Sequence, residues 1–140
     1  MRALFLIFFA FIVVSCSREV YPAIAGFHFS AGNIRKAELL PALDEYAKEH
    51  GFKKLQEGGG NMKPEVKENF LFAIYINSQS YEFSVNNVLD RSCFTVATYD
   101  KARTGDAPAI ELAESLKSWL SKNYQGSFVE HGDQYCGQTH

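Results

Sequence analysis

The sequence predicts an α+β domain, an antiparallel β-meander sheet covered by two amphipathic helices, in the approximate order β-α-β-β-β-β-α-β. Two observations carry that reading. Between positions 69 and 99, short runs rich in Phe, Ile, Tyr, Val and Thr are separated by polar turns, the pattern of strands joined as hairpins. On either side of that block, residues 34–50 and 107–124 repeat apolar residues at helical spacing, each drawing one buried stripe. A sheet of this kind needs one face covered, and the two helices are the available cover.

From the N-terminal side, Tyr21 to Ser30 reads as a first strand, with Pro22 confined to its start or an edge. Phe27 and Phe29 then share one face and His28 takes the other, as a solvent-facing or hydrogen-bonded residue. Ala31-Gly32-Asn33 turns the chain into a helix between Ile34 and His50, in which Leu39, Leu43, Tyr46 and Ala47 form the apolar stripe. Pro41 is tolerated in a first turn but kinks an interior, so the regular helix is expected to begin near Glu38 or to bend at Pro41. Gly51 is a natural left-handed stop. Phe52 to Glu57 is a short strand.

Gly58-Gly59-Gly60-Asn61 opens a long connection through Met62, Pro64 and Glu68, read as a flexible loop and a candidate contact surface. A glycine run before Lys63 invites comparison with a phosphate loop. Pro64 follows, however, and neither the Gly-Lys-Ser/Thr ending nor a succeeding helix is expected. Next come the three meander strands, Asn69–Asn77, Tyr81–Val85 and Ser92–Tyr99, turning at Ser78-Gln79-Ser80 and at Asn86–Arg91. Tyr81, Phe83 and Val85 alternate with Glu82 and Ser84, and Phe94 and Val96 oppose Cys93, Thr95 and Ala97. Asp106 is a good N-cap and Pro108 suits the first turn of the second helix, Ala107 to Tyr124. Its stripe is Ala109, Leu112, Ala113, Leu116, Trp119 and Leu120, which assigns the single tryptophan to packing. Ser127 to His131 can add a last strand.

The N-terminus is of a different kind. Met1-Arg2 is a short basic start, Ala3 to Val14 is unbroken apolar sequence, and the small residue Ser15 precedes Cys16. About a dozen apolar residues is too short for a membrane span, which needs about 20, and fits a secretory leader. Val13-Val14-Ser15-Cys16 resembles the lipobox of bacterial lipoproteins. The resemblance implies cleavage just before Cys16, acylation of that cysteine and a lasting membrane anchor through two or three chains. It divides the chain into a signal peptide, 1–15, an acylated cysteine with a short tether, 16–20, and one α+β domain, 21–140. Ser17 lies where inner-membrane lipoproteins of Gram-negative bacteria often carry Asp. The implied address is therefore the outer membrane, facing the periplasm and close to its surface.

Lys plus Arg number 14 and Asp plus Glu 16, for a net charge of −2, and loss of the leader removes only Arg2. Nothing is basic enough to suggest a nucleic-acid partner. With Cys16 assigned to lipid, Cys93 and Cys136 remain as an even pair in an exported chain, which reads as a disulfide. The tail gathers His131, Asp133, Cys136 and His140, yet without the paired spacing of a closed zinc site, and no metal is assigned. No catalytic residue, cofactor motif, nucleophile elbow or dinucleotide fingerprint is found. The expected function is a non-enzymatic envelope lipoprotein that binds or supports an envelope partner. An immunity-type inhibitor of a periplasmic toxin is the alternative, and a small envelope enzyme the second.

Overall fold

The computed structural model describes residues 21–32 and 34–136. Cys16 with its leader and tether, and the candidate ligand His140, lie outside the described residues. The chain lays down β1 (Ala25–Ser30), α1 (Lys36–Glu49), β2 (Phe52–Glu57) and a four-residue helix α2 (Pro64–Lys67). It continues with β3 (Phe72–Asn77), β4 (Tyr81–Asp90), β5 (Cys93–Asp100), α3 (Ala107–Asn123) and β6 (Val129–Gly132). This is the expected α+β order with one short helix added.

Pleating sorts the strands by side. Phe27 and Phe29 of β1, Ala73 and Tyr75 of β3, Phe83 and Val85 of β4, and Phe94 and Val96 of β5 all turn to one face. Leu39, Leu43, Tyr46 and Ala47 of α1 and Leu116 and Leu120 of α3 close over them in one cluster. Stacked rings of Tyr75 and Phe83, 4.7 Å apart, and of Phe29 and Phe94, 5.1 Å apart, fill its middle. Trp119 is packing, as its position on the stripe implied, with its ring 5.0 Å from that of Tyr46. Polar pins lock the layers together: Thr98 Oγ1 donates to the Ala109 carbonyl at 2.7 Å, and the Tyr46 and Ser115 hydroxyls meet at 2.9 Å.

The sheet has six strands in the order β2-β3-β4-β5-β1-β6, with antiparallel pairing throughout. Strands β2 to β5 form the meander. The first strand then pairs with β5 and the last with β1. Ser30 lies opposite Cys93 and Ala25 opposite Thr98. The chain therefore enters at the Thr98–Asp100 end of the sheet, while the β4–β5 turn and the start of α1 sit at the other end. Six residues of β1 at about 3.3 Å each put on the order of 20 Å between the two ends.

Several boundaries differ from the sequence expectation for identifiable reasons. Helix α1 starts at Lys36, and Pro41 lies in its second turn. The Arg35 carbonyl already accepts from the Glu38 and Leu39 amides, both at 3.0 Å, so the helix is nucleated ahead of the proline. Gly51, with φ of +76°, stops α1 as expected. Asp106 occupies the cap of α3 but makes no side-chain cap bond, because its backbone is already helical. The glycine connection is not a plain flexible loop. Gly58 leaves no room for a β-carbon against Phe72 and Phe70, and α2 follows it after all, although the Gly-Lys-Ser/Thr ending is still missing. Strand β4 runs on to Asp90 through the positions expected to turn, with a bulge between Asn86 and Asp90.

Candidate functional site

The bulge in β4 has its cause in Asn87. Its residue is 2% exposed, and its carboxamide takes the place of a backbone partner. Asn87 Oδ1 accepts the Leu71 amide at 2.7 Å, while Nδ2 donates to the Asn69 carbonyl at 2.7 Å and the Arg91 carbonyl at 3.1 Å. The Asn87 amide in turn donates to the Leu71 carbonyl at 3.0 Å. One buried side chain thus ties the approach to β3 to the β4–β5 turn. Neighbours on both sides dictate which end of the amide is oxygen, since two carbonyls demand donors.

Arg91 is held by the same turn. Its Nη1 donates to the carbonyls of Asn87 at 2.6 Å and Val88 at 2.9 Å, and its guanidinium lies 4.9 Å from the centre of the Phe70 ring. Arg35 and Lys36 approach from the start of α1, where the first helical amides have no partner from within the helix. Together with Asn69, Ser92, Phe94 and Ile34 they line a cavity of about 540 Å³. No carboxylate lines it among the described residues, although Asp90 Oδ1 accepts the Ser92 amide and hydroxyl at 2.8 and 2.7 Å beside it. Arg35, Lys36 and Arg91 enter no ion pair among the described residues, whereas Lys54, Lys101 and Lys117 each do. Beside the cavity the end of β4 exposes Val88 at 47% and Leu89 at 83%.

The helix-free face of the sheet holds the tail. Cys93 and Cys136 form the expected disulfide, with Cα atoms 5.5 Å apart, and the Cys136 amide donates to Cys93 Sγ at 3.2 Å. The tail lays Tyr135 edge-on against His28, whose Nδ1 meets Thr95 Oγ1 at 2.9 Å. Ser30 Oγ and His131 Nε2 stand 3.0 Å apart, a serine–histidine contact between residues about a hundred positions apart in sequence. A working nucleophile of that kind needs an orienting carboxylate and oxyanion donors. Asp133 is exposed and makes no hydrogen bond to His131 among the described residues. The Cys136 thiol is consumed by the disulfide, and no group of three His, Cys, Asp or Glu suited to a metal occurs among the described residues.

Two further polar clusters are structural. Tyr75 donates to Asp44 Oδ1 at 2.7 Å, and Lys54 bridges Asp44 at 2.8 Å and Glu57 at 2.9 Å, joining α1 to β2 and β3. Burial, then the Asp44 carboxylate, pushes the Tyr75 phenol far above its ordinary range. At the entry end, the Asp100 carboxylate accepts the Gly105 amide at 2.8 Å, and that bond with its neighbours holds Asp100 below the usual carboxylate range.

No family model, curated protein or solved structure matches the chain. No described helix is long and apolar enough to cross a membrane. The basic cavity was not singled out in the sequence. Arg35, Lys36 and Arg91 are scattered there, and their only local signal is their position beside turn residues.

Proposed function

We propose that this chain is a lipid-anchored envelope protein whose folded domain is a non-enzymatic binding module. Cys16 carries the acyl chains, and the outer membrane, on its periplasmic side, is the address that Ser17 favours. The observation that supports the binding role is the polarity of the domain. Residue 21 enters at one end of the sheet, while the basic cavity and the exposed Val88 and Leu89 at the end of β4 occupy the other. A tether at the entry end leaves the cavity free for a partner in the aqueous space.

A specific feature also favours the toxin-inhibitor alternative. At the end of β4, Leu89 exposes apolar surface beside Arg91, and arginine is enriched at the energetic centres of protein interfaces. The enzyme alternative has the Ser30–His131 contact behind it, with no carboxylate hydrogen-bonded to His131 among the described residues.

The test of the anchor is labelling with radioactive palmitate in a bacterial host, followed by membrane fractionation. The native chain should take up label and sediment with outer membrane, and Cys16→Ala should do neither. Label that persists in Cys16→Ala refutes the lipid anchor.

A further inference from the structure

We infer that the cavity framed by Arg35, Lys36 and Arg91 binds a phosphate group. The inference rests on the binding-module reading and names its ligand class. Among the described residues, three cations from two separated segments that enter no ion pair line one concavity, and the nearest carboxylate, Asp90, is turned onto the Ser92 amide and hydroxyl at 2.8 and 2.7 Å. A concavity lined by cations raises the local concentration of anions.

The geometry of each group suits a tetrahedral dianion. Arg91 is anchored through Nη1 on two carbonyls and stacked on Phe70, so its other nitrogens are presented in a fixed orientation. A planar guanidinium fixed in this way is the usual partner of phosphate oxygens, two parallel bonds at a time. Among the described residues Lys36 donates to the Lys67 carbonyl at a long 3.4 Å, and Arg35 is exposed and enters no ion pair, so both can turn toward a ligand. The first amides of α1, a fourteen-residue helix, add partial positive charge on the same side. Asn69 lies at the rim, and the hydroxyl of Ser92 beside it is spent on Asp90 Oδ1 at 2.7 Å. A volume of about 540 Å³ exceeds what bare phosphate fills and lies in the usual range for a small organic ligand. The ligand is therefore a phosphorylated small molecule or the exposed headgroup of a phospholipid.

Nuclear magnetic resonance titration of the full-length protein in a neutral detergent tests this. One arm adds inorganic phosphate and then glucose 6-phosphate, and the other adds bicelles containing phosphatidylglycerol. Saturable shifts confined to residues 34–36, 69 and 91–92 are expected in at least one arm, and the arm that responds identifies the source of the phosphate. Arg35→Gln with Lys36→Gln should weaken binding about tenfold or more, the loss of charge-assisted bonds. Lys53→Gln, which removes a charge from the exposed edge strand β2, should leave it unchanged. Absence of saturable shifts in both arms, or equal weakening by Lys53→Gln, overturns the site. Neither result touches the binding-module reading, which fails separately if the unacylated and acylated chains alike capture no envelope ligand through any surface.

Discussion

Replacing Asn87 by leucine isolates the polar pin that shapes the candidate site. Leucine keeps the branched, four-heavy-atom outline of the side chain, with bulkier methyl groups, while its hydrogen bonds are removed. Three backbone groups then lose a partner: the Leu71 amide and the carbonyls of Asn69 and Arg91. A buried group left unsatisfied costs about 1–3 kcal/mol. Asn69 and Arg91 are exposed residues, and water can reach their carbonyls in part, whereas Leu71 is fully buried. The full cost therefore falls on one amide and a fraction on each carbonyl, for a total of about 3 kcal/mol. With a urea dependence of about 1–3 kcal/mol per molar, the unfolding midpoint should fall by roughly 1–3 M. Asn87→Asp sharpens the test. It keeps the acceptor for Leu71 but sets a carboxylate against two carbonyls. At neutral pH it should be less stable than Asn87→Leu, and it should recover on acidification, when the protonated carboxyl can donate once. Urea unfolding followed by far-UV circular dichroism reads all three proteins. A loss below about 1 kcal/mol in Asn87→Leu, or an Asn87→Asp as stable as the native chain at pH 7, would refute the assignment of the pin.

The disulfide and the buried phenol make separate predictions. Closing a loop of about 44 residues contributes about 4 kcal/mol by the chain-entropy model, so reduction should lower stability by up to that amount. Intact mass should rise by two hydrogens on reduction, and an unchanged mass would contradict the bond. Tyr75→Phe removes the bond to Asp44 and should cost about 1.5–3 kcal/mol at neutral pH, a loss below about 0.5 kcal/mol being the contrary result. Because the folded pKa of Tyr75 is raised, its stabilisation is complete below the ordinary phenol value near 10 and declines as pH rises beyond it. There the unfolded chain releases a proton that the folded chain keeps. Stability of the native chain should fall above pH 10 more steeply than that of Tyr75→Phe, by about 1.4 kcal/mol per pH unit. Parallel alkaline profiles would show that Tyr75 ionises freely in the fold.

Local pattern determined much of this protein. Alternation told which of Phe27, Phe29, Phe83, Phe94 and Val96 turn inward, since successive strand residues face opposite ways whatever they pair with. Spacing placed Leu39, Leu43, Tyr46 and Ala47 on one helical stripe, and an even pair of cysteines implied the Cys93–Cys136 bond. Boundaries escaped where a distant residue overruled local preference. Asn86–Arg91 reads as a turn from its polar residues, but Asn87 finds Leu71 and Asn69 across the sheet and draws β4 onward. The insertion of β1 between β5 and β6 was equally hidden, because pairing between the ends of a chain leaves no periodicity in either end. The same holds for the cavity. Arg35 and Arg91 stand far apart in sequence, and only the folding of α1 against the β4–β5 turn makes them neighbours. Charge and spacing are properties of a segment, and convergence is a property of the packed sheet.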